Sequence, residues 1–195
     1  MNDPYRGVFD ALVAAGWKLH ERAPDKALSA SELWPPDLRT RYPRIPAELT
    51  AFLGRIDECV NEDDTMWFLT AENYARSSGT EWNWNAWENL ELEGCGDDEE
   101  ESAAVRAFWN SYVPFILDSR GDFGHFAVRV TEPPPRKRGL LWFMGEREPG
   151  MGAVVHGIEE LRNVSEVAKS LPEFLKLLEA RLRNPAAKGP LSWMI

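Results

Sequence analysis

The chain has 195 residues, 44% hydrophobic and 28% charged, the balance of one globular domain large enough to fold on its own core. Its 32 acidic and 22 basic side chains leave a formal charge of -10, which argues against the net basic face of a nucleic-acid binder. No apolar run approaches the ~20 residues of a membrane span, Met1–Tyr5 has no basic-then-apolar leader, and Cys59 and Cys95 form no CxxC pair, so a cytoplasmic, non-membrane protein is expected.

The first predicted element is a helix within 1–17. Asp3 is placed to cap it, Pro4 suits its first position, and Tyr5, Val8, Phe9, Leu12 and Val13 share one face. Gly16 is a natural stop. Residues 21–46 are broken by Pro24, Pro35, Pro36, Pro43 and Pro46, with Trp34, Leu38 and Tyr42 placed to lay this arm across the core. Pro46 then opens a helix with Leu49, Phe52, Leu53 and Ile56 on one face, ended by the acidic stretch Asp57–Asp64. Thr65–Leu69 reads as a buried strand.

Residues 71–96 give two periods at once: Trp82 and Trp84 alternate as in a strand, while Trp84 and Trp87 sit at helical spacing. Asp97–Glu101 leads into a helix carrying Val105, Phe108, Trp109 and Tyr112 on one face. Val113–Leu117 is a strand, Asp118–Asp122 a turn, and 124–130 a half-buried strand with Phe126, Val128 and Val130 inward and His125, Ala127 and Arg129 outward. Glu132–Arg138 reads as an exposed hairpin loop between this strand and another at Leu140–Met144, and Ala153–His156 adds one more. Ser170-Leu171-Pro172-Glu173 is a capping box for a last helix striped by Phe174, Leu175, Leu177, Leu178 and Leu182. The tail from Asn184 is loose.

The connections between most strands are too short for crossover helices. They predict an α+β fold: a mainly antiparallel sheet of about five or six strands flanked by helices. The chain divides into an arm at 1–44 packed on the core, a main α+β domain at 45–183 and a tail at 184–195.

Chemistry-bearing motifs are scarce. HExxH, GxSxG, the Walker loop and GxGxxG are absent, and His20, His125 and His156 have no partner at metal-ligand spacing. No catalytic residue, metal site or cofactor is therefore assigned, and His125 is expected to be a solvated strand residue. Acids dominate instead. Nine lie between Glu81 and Glu101 with no Lys or Arg among them, and Asp57, Glu58, Glu62, Asp63 and Asp64 form a second group. Carboxylates at a helix start also serve its free N–H groups and dipole, so the run has a structural reading beside the functional one, in which it steers a basic partner. Tryptophans usually fill cores, yet three in one short acidic stretch suggest a surface anchor. The partner-binding candidates are Trp82, Trp84 and Trp87 with Asp97, Asp98, Glu99, Glu100 and Glu101.

Several segments, taken in order, have a family look. Ile45-Pro46-Ala47-Glu48-Leu49-Thr50-Ala51-Phe52-Leu53 resembles the opening helix of SUKH superfamily domains, and Trp67-Phe68-Leu69 the strand after it. Val113-Pro114-Phe115 and Asp118–Phe123 resemble the family's central strand and its Gly-Asp turn. Val154-Val155-His156 resembles its late strand, and Glu166–Leu175 its closing helix. The resemblance spans roughly 45–180, leaves the first 44 residues outside, and replaces the usual glycine-rich turn with Ser119-Arg120-Gly121. It implies a non-catalytic binding domain, in bacteria an immunity protein that binds and neutralises a toxin; the acidic and aromatic residues above suggest that it does so by covering the toxin's basic active surface. It also implies an alternative, a regulatory scaffold of cell-wall synthesis or signalling. A third reading, from the residues alone, is a hydrolase pairing a carboxylate with His125 or His156.

Overall fold

The computed structural model describes residues 3–75, 83–120, 124–132, 149–157, 162–186 and 191. Helix α1 (Arg6–Ala14) lies within the expected 1–17 but starts two residues after Pro4, the expected first position, because Pro4 and Tyr5 form a turn before it. The Asp3 carboxylate accepts the Tyr5 N–H at 3.0 Å. At the other end the chain leaves through Gly16 with φ 86°, a left-handed conformation that costs glycine no Cβ clash. Strand β1 (Lys18–Glu21) follows, then a 3-10 turn at Pro24–Lys26 and the short helices α2 (Ala30–Leu33) and α3 (Pro36–Arg41).

Helix α4 (Ala47–Leu53) ends one turn earlier than the apolar spacing suggests. Ile56 belongs not to it but to strand β2 (Ile56–Val60), where Ile56 and Cys59 are buried and Asp57 is exposed. The acidic stretch thus hides a strand whose polar side faces solvent. Strand β3 (Met66–Phe68) and helix α5 (Ala71–Ala75) come next. In the ambiguous stretch the helical period prevails: α6 spans Ala86–Cys95 and α7 Glu99–Trp109.

Strands β4 (Tyr112–Asp118) and β5 (Gly124–Arg129) are buried along their whole length. Strand β6 is Val154–Gly157, and β7 is Val164–Ala168. The latter corrects the reading of 166–168 as part of the closing helix: α8 starts at Leu171, with Ser170 as its cap, and runs to Arg183. The expected strand at 140–144 and the loop at 133–138 lie outside the described residues.

The fold is α+β. Among the described residues seven strands form one sheet in the order β1-β2-β3-β4-β5-β6-β7, every neighbouring pair antiparallel. The strand count exceeds the expected one because β1, β2 and β7 carry no continuous apolar run. Since β1 pairs with β2, the arm at 1–44 supplies part of the sheet.

Alternation along β5 separates the two faces. Phe126 meets Phe174 of α8 at 5.2 Å between ring centroids, and the Phe9–Phe52–Phe68 chain brings α1 and α4 onto that same core. His125, one residue back, points the other way and meets Trp109 of α7 at 4.9 Å. The sheet is therefore sandwiched between α1, α4 and α8 on one side and the α6–α7 layer on the other.

Candidate functional site

The predicted partner-binding residues centre on α6 and α7. Asp98 is the N-cap of α7, its carboxylate accepting the Glu101 N–H at 2.9 Å, and Glu99, Glu100 and Glu101 occupy the first turn at the positive end of the helix dipole. The structural reading of the acidic run is thus fulfilled in part. Glu101 is further engaged by the Arg162 guanidinium, which also binds Glu91 at 2.8 Å. Glu91 in turn accepts the indole N–H of Trp109 at 2.6 Å. This cluster ties the β6–β7 connection to both helices.

Glu88 is buried and gripped by both terminal nitrogens of Arg41 at 2.7 and 2.8 Å. The same guanidinium lies 5.2 Å from the ring centroids of Tyr42 and of Trp84. A planar, delocalised cation is what this site requires, since it stacks on rings while its edge serves a carboxylate.

Of the acids between 81 and 101, Glu88, Glu91 and Glu101 are therefore spent on internal pairs. Glu93, Asp97, Asp98, Glu99 and Glu100 remain exposed at the corner where α6 turns into α7. Leu90, one helical turn before Glu93 and 44% exposed, adds an apolar contact point that the sequence reading passed over.

The tryptophan part of the prediction needs correction. Trp84 and Trp87 are 7% and 3% exposed, and the Trp87 indole donates to the Gly124 carbonyl at 2.8 Å. Trp87, in the first turn of α6, packs that helix onto the sheet, while Trp84, in the turn before α6, lies edge-on to Tyr42 at 6.1 Å between ring centroids; neither offers a surface to a partner. Trp82 lies outside the described residues.

His125 also departs from expectation. Far from solvated, it is 0% exposed, because α7 covers the sheet face it occupies. Neither ring nitrogen has a hydrogen-bond partner, and burial pushes its pKa down to about 3. His156 is buried on the opposite face, its ring 4.8 Å from that of Phe126, and burial lowers its pKa to about 4 against a smaller opposing effect of Asp118. Asp118 holds Arg120 through Nε and Nη2.

Among the described residues His125 and His156 are not brought together in one site. The two histidines point to opposite sides of the sheet, and a fully covered His125 cannot meet a substrate. His20 does approach a carboxylate, Glu58 at 3.0 Å, but this pair is an exposed surface contact shared with Lys18. Among the described residues no group of three or more His, Cys, Asp or Glu side chains is placed to hold a metal, and no helix is long and apolar enough to cross a membrane.

No protein-family model matches this chain, and no curated protein matches it.

Proposed function

We propose that this chain is a non-catalytic binding domain of the immunity type, which works in the cytoplasm by covering the basic active surface of a toxin with its α6–α7 corner. The observation that carries this reading is the division of labour among the acids. Glu88 and Glu91 are paired within the fold and Glu101 with Arg162, while Glu93, Asp97, Asp98, Glu99 and Glu100 are left at the surface, with Leu90 exposed one helical turn before Glu93. An exposed cluster of one sign accelerates encounter with an oppositely charged partner, and an apolar residue within it supplies contact once docked. The order of SUKH-like segments supports the same reading. So does the burial of Trp87 and Trp109, which seats both helices on the sheet and presents the corner as an already formed surface.

Co-expression with a toxin encoded beside this chain tests the idea directly. Protection of the host and a recoverable complex are expected. Neither, with any neighbouring toxin, would remove the immunity reading. With a complex in hand, reversing Asp97, Glu99 and Glu100 to Lys is expected to slow association about tenfold at low salt and much less at high salt. An unchanged rate would place the contact elsewhere on the molecule.

A further inference from the structure

The α6–α7 layer rests on the sheet partly through one residue. His125 is completely enclosed, lies 4.9 Å from the Trp109 ring and 6.3 Å from that of Phe108, and neither ring nitrogen has a partner. A neutral imidazole is tolerated there as a flat ring among rings. A protonated one would be an unpaired charge in an apolar enclosure.

We propose that His125 makes the α6–α7 layer acid-labile: a proton on this ring is incompatible with the closed layer, so mild acid raises the frequency with which α7 and α6 open from the sheet.

Among the described residues the surroundings offer the cation no free partner, the buried Glu88 of α6 being held by Arg41. On α7, Glu101 is taken by Arg162 and Arg106 is exposed. On α6, both oxygens of Glu91 are occupied, by the Trp109 indole and by Arg162. On β4, Asp118 is paired across the sheet with Gly124, on the face opposite His125, and holds Arg120. On β5 itself, Arg129 is a like charge on the same face. On β6, His156 is the nearest titratable group, lies on the other face and opposes protonation of His125. Glu166 of β7 is exposed and two strands away.

The layer is also the part of the molecule suited to open alone. Only Val105 and Trp109 of α7 are buried, whereas α8 buries six side chains against the other face.

The sign follows from linkage. A histidine whose folded pKa lies below its free value of 6.5 contributes stability that is complete above 6.5 and is lost as pH falls toward the folded value. At pH 5 the opening equilibrium of a segment that frees His125 is expected to rise about thirtyfold over its value at neutral pH.

Amide hydrogen exchange across 99–109, corrected for the intrinsic pH dependence of exchange, tests this at pH 7.5 and pH 5. Opening of α7 should rise by about that factor in the wild type and not in His125→Leu. An unchanged α7, or an equal rise in His125→Leu, would overturn the proposal. Should the Leu variant fail to fold, His125→Asn takes its place, and a wild-type measurement stands beside both. The ring carbon-13 shifts of His125 must report a neutral imidazole in the folded protein at pH 5, and a ring that titrates near 6.5 without opening would overturn the idea. The measurement needs no partner, so its outcome is independent of the binding reading.

Discussion

Arg55 is 3% exposed, yet it carries a charge. The fold keeps it by satisfying it from several sides: Asp3 at 3.2 and 3.0 Å, Glu21 at 3.1 Å, and the Arg22 carbonyl at 2.6 Å, with the Phe9 ring beneath. This one side chain clips α1 and β1 to the end of α4. The Arg55 hydrogen bond leads the causes that hold the Asp3 carboxyl below its usual range. Its contribution is therefore present above the free carboxylate pKa and lost as pH falls through the lower folded value. Asp3→Asn is expected to cost about 1–2 kcal/mol at pH 7 and to flatten the stability profile in acid, read from urea midpoints between pH 7 and pH 3. Gly54 is a second residue whose role is spatial. A Cβ there would stand 2.6 Å from the Leu28 carbonyl and 2.9 Å from that of Thr50, both backbone atoms that cannot swing aside. Gly54→Ala should destabilise by about 2 kcal/mol in chemical denaturation. None of this is visible in the sequence, where Arg55 and Gly54 are unremarkable, because the groups they meet come from distant positions.

Among the elements, α7 shows how one residue serves structure and surface together. Asp98 caps the helix and also adds charge to the exposed corner. Asparagine caps as well as aspartate, so the two roles separate. Asp98→Ala is expected to lose about 1 kcal/mol of stability, whereas Asp98→Asn should keep the thermal midpoint and lose only the steering charge. The α3–α6 junction depends on shape more than on charge. Arg41→Lys retains the cation but loses the paired hydrogen bonds to Glu88 and the stacking on Tyr42 and Trp84, at a cost of about 2 kcal/mol in thermal or chemical unfolding. The elements legible beforehand were those with strong local signals. Ser170 and Glu173 mark the start of α8, and the apolar run Val113–Leu117 marks β4. Strands β1 and β2 carry no continuous apolar run because much of each is open to solvent, and in β2 Asp57 is exposed and its neighbour Glu58 half-buried.

For the whole molecule, the order of the sheet follows chain order: short connections join β2 to β3, β4 to β5 and β6 to β7, while β1 and β2, and β3 and β4, pair antiparallel across long helix-bearing stretches. The two faces differ in depth. One is closed by α1, α4 and α8 around a core of phenylalanines, the other by the α6–α7 layer over His125. A binding surface carried on the shallower layer would inherit its sensitivity to acid, while the opposite face continues to hold the sheet together.

From the sequence alone came the α+β class, the antiparallel connectivity, the acidic balance and the helices with clear periodicity, because each depends on neighbours within a few residues along the chain. Tertiary structure alone decided that Trp84, Trp87 and His125 are interior, that Glu88, Glu91 and Glu101 are paired, and that Asp97, Glu99 and Glu100 stay outside. A side chain's burial is set by whatever packs over it, and here the covering groups are separated from it by tens of residues.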